Sequence, residues 1–175
     1  MWNLLGIARY GSGDLTGAFT AFEHELAEHQ SERHEVFVAG AEGNLGEVAL
    51  QLGELGAAAR HQGACLELAL ALGMPVMVAY SLSVAGRLAS TAGEWSTAVQ
   101  LQSKATAMLS ETGQRLYEED RREADRLMLD AANVLTQDVV ERLMREAQDL
   151  DPAIAVDLAH KVLDAYSHKI VGASE

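Results

Sequence analysis

Glycine recurs along this chain at a fixed step, and no other feature restricts its fold so tightly. Gly6, Gly46 and Gly86 stand 40 residues apart, and Gly13, Gly53 and Gly93 keep the same step. So do Asp14, Glu54 and Glu94, then Leu15, Leu55 and Trp95, then Ala18, Ala58 and Ala98. Five columns in one register define a unit: glycine, six residues, glycine, an acid, Leu or Trp, two residues, alanine. A unit that repeats is a supersecondary element that buries its apolar face against its neighbours. Ala, Leu, Glu, Gln and Arg dominate, β-branched runs are absent, and both prolines, Pro75 and Pro152, fall where helices can start. The element is therefore helical.

Each column then acquires a physical role. The first glycine lies within a helix and lets a second helix approach closely. The second lies at a turn, where φ is positive and glycine costs little. The acid after it suits the start of the next helix by capping and by the helix dipole. The alanine is a small contact point on that next helix. The unit is a helical hairpin, and three of them stack. The pattern predicts helices over about 1–12 and 15–29, 33–52 and 55–72, and 75–92 and 95–111. It continues with 116–134, 137–148 and 152–167, Asp151 and Pro152 opening the last. The whole chain reads as one all-α domain: repeats over about 1–32, 33–72 and 73–113, then C-terminal helices over 114–168, with Val171 to Glu175 frayed.

Composition excludes several classes. The 175 residues suffice for one domain with a real core, and 49% hydrophobic with 22% charged residues is a globular balance. Thirteen basic against 26 acidic residues leave a net charge of −13, a poor grip for nucleic acid phosphates or an anionic membrane. One cysteine, Cys65, allows no intramolecular disulfide and suits a reducing compartment, here expected to be the cytoplasm. No apolar run reaches the length of a transmembrane helix, and Met1 to Tyr10 lacks the basic start of a signal peptide.

The columns resemble the tetratricopeptide repeat. Copy one carries Trp2, Leu5-Gly6, Gly13-Asp14-Leu15, Ala18 and Phe22; copy two Leu45-Gly46, Gly53-Glu54-Leu55 and Ala58; copy three Ala85-Gly86, Gly93-Glu94-Trp95 and Ala98. The family's period is about 34 residues, and HEAT and armadillo units match a step of 40 better. The glycine, acid and alanine columns favour tetratricopeptide hairpins with longer helices, and Gln62 and Gln102 stand where copy one has Phe22. The tail, with Leu116-Tyr117-Glu118, Ala131, Leu135-Thr136, Leu150, Ala155-Val156 and Ala159, is similar to the C-terminal, MalT-like region of bacterial LuxR-type and antibiotic-regulator (SARP-type) transcriptional regulators. That resemblance implies an α–α superhelix that binds a protein, a peptide or a small effector without catalysis. In a regulator, the nucleotide and DNA modules lie outside this chain. A free-standing adaptor that bridges two proteins is the alternative.

In such a superhelix the first helix of each hairpin lines the concave face. The register places Asn3, Leu4, Ile7 and Tyr10 there from copy one, Gly43, Asn44, Glu47, Leu50 and Gln51 from copy two, and Tyr80, Ser83, Val84 and Arg87 from copy three. The candidate binding residues are Ile7, Tyr10, Asn44, Glu47, Gln51, Tyr80, Ser83 and Arg87. The C-terminal helices are the competing occupant of this groove. A carboxylate clamp of the kind some tetratricopeptide proteins use needs lysine and arginine partners, and of its positions only Asn44 matches. The apolar Trp2, Leu4 and Leu5 of the first hairpin are expected to be covered by a preceding repeat or by another copy, the latter giving a homodimer.

No enzyme class is indicated. His24 and His29 are five residues apart, about 140° around a helix, so they do not share a face as the paired histidines of a zinc motif do. No metal or cofactor is expected; His24, His29 and His34 read as a solvated helix end and loop, and His61, His160 and His168 as ordinary surface. Cys65 reads as a buried, inert thiol. The run from Glu118 to Glu123 alternates sign and reads as a solvated helix face.

Overall fold

A computed structural model describes residues 1–116 and 118–168; Tyr117 and the expected frayed end, Val171 to Glu175, lie outside the described residues. Among these residues the chain forms nine helices and no strand: α1 (Trp2–Gly11), α2 (Leu15–Glu32), α3 (Glu35–Gln51), α4 (Leu55–Ala71), α5 (Pro75–Thr91), α6 (Trp95–Glu111), α7 (Glu118–Leu135), α8 (Gln137–Gln148) and α9 (Pro152–Ser167). The all-α reading holds, and element boundaries match to within about three residues, the usual latitude at helix ends.

The first six helices pair as α1 with α2, α3 with α4 and α5 with α6, and each pair packs on the next through α2 with α3 and α4 with α5. The glycine columns do what their spacing implies. A methyl group on Gly6 would collide with the Phe22 ring, one on Gly46 would lie 2.7 Å from Gln62, and one on Gly86 would lie 3.1 Å from the Ala98 carbonyl oxygen. Phe22, Gln62 and Gln102 share one register, so in the first two hairpins the side chain there fills the space the glycine leaves. Gly13, Gly53 and Gly93 have φ of 83°, 78° and 77°, where an L side chain is strained. The capping expectation holds only in part. Asp14 accepts from the Gly17 N–H at 3.0 Å, whereas Glu54 and Glu94 make no side-chain cap. Glutamate is not among the favoured N-cap residues, which leaves the dipole to favour these two charges.

A finer period underlies the 40-residue step. Left-handed backbone also occurs at Gly73, Gly113 and Arg33. The chain therefore turns through this conformation at 13, 33, 53, 73, 93 and 113, once every 20 residues. Helices α3 to α6 are accordingly all 17 residues long. Arg33 hides this half-step in the sequence by standing where the other turns use glycine.

The main core lies between α4, α5 and α6 and the C-terminal helices; it contains Leu66, Leu82, Leu88, Leu101, Leu127, Leu143 and Leu163. Leu66, Leu82, Leu88 and Leu101 are wholly buried, each contributing about 1.5–3 kcal/mol by leaving water. A smaller cluster of Ala18, Phe22, Leu45 and Val48 joins the first hairpin to the second. Helix α8 packs on α6, and α9 turns back across α4, α5 and α6. There the Tyr166 hydroxyl meets Thr91 Oγ1 at 2.6 Å. Helix α7 packs on α6 and α8 and touches α5. No helix among the described residues is long and apolar enough to cross a membrane.

Candidate binding groove

Three side chains from three successive hairpins meet at Glu47. Residues 7, 47 and 87 form one register column, carrying Ile7, Glu47 and Arg87. Arg87 Nη1 donates to both Glu47 oxygens, at 2.8 and 2.7 Å. The Tyr10 hydroxyl donates to Glu47 Oε1 at 3.2 Å, and Gln51 Nε2, one turn further along α3, donates to the same oxygen at 3.3 Å. The pair is largely withdrawn from water, with side-chain exposures of 11% for Arg87 and 17% for Glu47. Burial alone would lower the pKa of Arg87. The Glu47 carboxylate, its hydrogen bond and Asp120 of α7 outweigh that and hold it above the ordinary value. Burial pushes the Tyr10 phenol up, and the negative charges of Glu47 and Asp120 push it further, beyond the ordinary tyrosine range. Asp120 thus brings the field of α7 to bear on a cluster built by the repeats.

Beside this cluster a cleft of about 330 Å³ opens between α3, α5, α6 and α7. Gln51, Arg87 and Trp95 form its repeat side, and Glu123, Arg126 and Asp130 its α7 side. Arg126 Nε and Asp130 Oδ2 are 3.9 Å apart on α7 and exposed. The walls therefore offer both signs of charge next to an indole face. Such a lining fits a zwitterionic or bipolar ligand better than a purely apolar one.

Of the eight candidate residues, Tyr10, Glu47, Gln51 and Arg87 converge. Asn44 is half-buried one turn before Glu47, and Ile7 is exposed on α1. Tyr80 is half-buried, and its hydroxyl donates to the Arg115 carbonyl oxygen at 3.2 Å, in the segment that leads to α7. Ser83 does not line the groove: it is 3% exposed, and its Oγ donates to Gln102 Oε1 at 2.9 Å, inside the third hairpin. Val84 is also buried, within the main core. At 100° per residue Ser83 and Val84 stand about 40° and 60° to either side of Arg87, and both are buried there, so the open face of α5 is narrow. The α7 contribution escapes sequence reading, because α7 stands outside the repeat register. Its charged run suggests a solvated face, yet Asp120 and Glu123 are partly buried, Glu123 lining the cleft and Asp120 acting by its charge on Tyr10 and Arg87.

The remaining candidates are placed elsewhere. Cys65 is buried, and burial pushes its thiol up to about 11, which keeps it protonated and unreactive near neutrality. His24 stacks on Trp2 with ring centroids 4.5 Å apart. His61 Nδ1 lies 2.7 Å from Glu42 Oε2, and His160 Nε2 lies 3.5 Å from Glu67 Oε1. His29 and His34 come together beside Glu32 at the junction of α2 and α3. Compared with protein-family models, curated proteins and solved structures, the chain matches none.

Proposed function

We propose that this chain is a non-catalytic, tetratricopeptide-like binding module whose hairpins form an α–α superhelix. Its ligand is a peptide or small effector carrying both charges, held in the cleft between α3, α5, α6 and α7. The observation that carries this reading is the meeting of Tyr10, Glu47 and Arg87, from three hairpins, at the rim of a cleft that α7 completes. Helix α7 is suited to respond. Leu129 and Val134 on it are 69% and 59% exposed, and among its described side chains only Ala124, Leu127 and Ala131 are buried. A ligand that favours one seating of this helix shifts its population. Such a device suits the effector-binding region of a cytoplasmic bacterial transcriptional regulator, acting through protein contacts. The exposed Leu4 and Ile7 of α1 support pairing of two copies through the N-terminal hairpin.

The binding reading is tested with a Trp2→Phe variant, in which Trp95 is the only remaining indole. A panel of peptides with mixed charge is titrated against its emission. The reading expects a peptide that shifts this emission and binds at least about tenfold more weakly when Arg126→Glu and Asp130→Lys reverse the exposed rim. Amide-shift mapping that placed every bound peptide on α2 or α4 would overturn it. The regulator assignment is tested separately, by immunoblot of the source cells. A band several times 18.8 kDa supports it, and a band near that mass favours a free-standing adaptor.

A further inference from the structure

The junction between the first two hairpins gathers three ligand-type side chains outside the groove. His29 is in the last turn of α2, Glu32 is its final residue, and His34 precedes α3. One donor atom from each lies within 4.8 Å of the other two. His34 Nδ1 is 3.0 Å from Glu32 Oε2, and His29 Nδ1 is 3.9 Å from the same oxygen. A tetrahedral zinc with bonds of about 2.0–2.1 Å holds its donors about 3.4 Å apart, between those two values. Sequence spacing cannot show this set, because the helix ends within it. Arg33 takes the left-handed conformation at φ 58°, and the His34 N–H returns to the His29 carbonyl oxygen at 3.0 Å. The reversal brings His34 back beside His29.

Two further observations point to a ligand here. His29 Nδ1 is shut off from solvent and has no hydrogen-bond partner among the described residues, a costly state for a ring nitrogen that an ion would satisfy. The opposite nitrogen, Nε2, faces Glu25 Oε1 at 4.0 Å. Glu25 is itself buried, and its two oxygens accept from Asn3 Nδ2 at 3.0 and 3.1 Å. At that distance the carboxylate acts on the ring by its charge, not by the hydrogen bond usual behind a zinc-bound histidine. The Phe37 ring stacks on His29 at 4.8 Å and walls the ring in place.

We propose that His29, Glu32 and His34 bind one divalent zinc ion, with water completing its coordination, and that the ion clips the end of α2 to the start of α3. The donor set of two imidazoles and one carboxylate selects zinc over magnesium and calcium, which favour oxygen ligands.

The test uses the full, metal-stripped chain and zinc chloride, read by competition with a chromophoric chelator and by the visible band of the cobalt(II)-loaded protein. One ion per chain is expected. Affinity should fall at least about tenfold in His34→Ala and in Glu32→Gln. His34→Cys, which supplies another zinc donor, should retain binding, as should His160→Ala, distant on α9. His34 and Glu32 are about half exposed, so circular dichroism should show these variants folded. Failure of the wild-type chain to compete for zinc overturns the proposal. So does binding that survives both His34→Ala and Glu32→Gln, or that is lost in His160→Ala.

Discussion

The first and third hairpins obey the same sequence rule, yet their leading helices live in different surroundings. Helix α1 buries only Gly6, whereas α5 buries ten residues, among them Leu82, Ala85 and Leu88. One register position shows the contrast: Leu5 is 36% exposed, and Ala85, its counterpart two copies on, is wholly buried. The register dictates which residues face inward, and the neighbours decide whether anything is there to meet them. Helix α5 has α3, α4, α6, α7 and α9 around it, while α1 packs on α2. In a stacked-hairpin fold the stability of a unit is the sum of its own contacts and those with its neighbours, so equal motifs need not be equally stable.

The sharpest way to break this comparison is to truncate an aliphatic side chain in both places. Leu88→Ala, in the middle of the main core, is expected to cost about 2–5 kcal/mol. Ile7→Ala, at an exposed position of α1, should cost within about 0.5 kcal/mol. Urea unfolding of both variants measures the difference, and similar costs would mean that α1 is packed as tightly as α5. Next in size is the column shared by all three hairpins. Arg87→Ala leaves the Glu47 carboxylate partly buried without its cation and should cost about 3 kcal/mol, whereas Glu47→Leu with Arg87→Met should recover much of that. A double-mutant cycle on Glu47 and Arg87 reads the coupling directly.

The smallest effect concerns pH. The Tyr10 phenol is held above its ordinary range in the folded chain. Below about pH 10 it is protonated in both states and contributes fully. As pH rises further, the unfolded chain loses the proton first, so stability declines. Cys65, pushed up to about 11, acts in the same direction at slightly lower pH. Tyr10→Phe should therefore flatten the alkaline part of the stability curve without removing the Cys65 contribution. Unchanged curvature in that variant would place Tyr10 outside the Glu47 cluster.

The two regions also differ in how far the sequence discloses them. Within the repeats, Gly6, Gly46 and Gly86 and the turn glycines reveal the hairpins, because close approach and positive φ each demand a residue without a side chain. The pairing of Glu47 with Arg87 follows the same 40-residue step. The register projection misplaces Ser83, because the groove face of α5 is narrower than the projection assumes and the hydroxyl turns to Gln102. Asp120 and Glu123 escape it, since a charged run on an unmatched helix carries no periodic signal of what it faces. The approach of His34 to His29 is invisible for another reason. It depends on one left-handed residue, Arg33, whose side chain gives no hint of that conformation.

The return of α9 across α4, α5 and α6 has a consequence for the order of assembly. Contacts among the first six helices join segments close in sequence, and such contacts form quickly. The Tyr166–Thr91 pair joins residues 75 positions apart, so its loop closes only after the chain between has been made. During synthesis the surfaces of α4, α5 and α6 that pack on α9 stay uncovered until α9 emerges, and the hairpins must persist in water without that cover. Folding of this chain thus has a direction, from local hairpins to a late closing helix, and α9 sets the time at which the main core becomes complete.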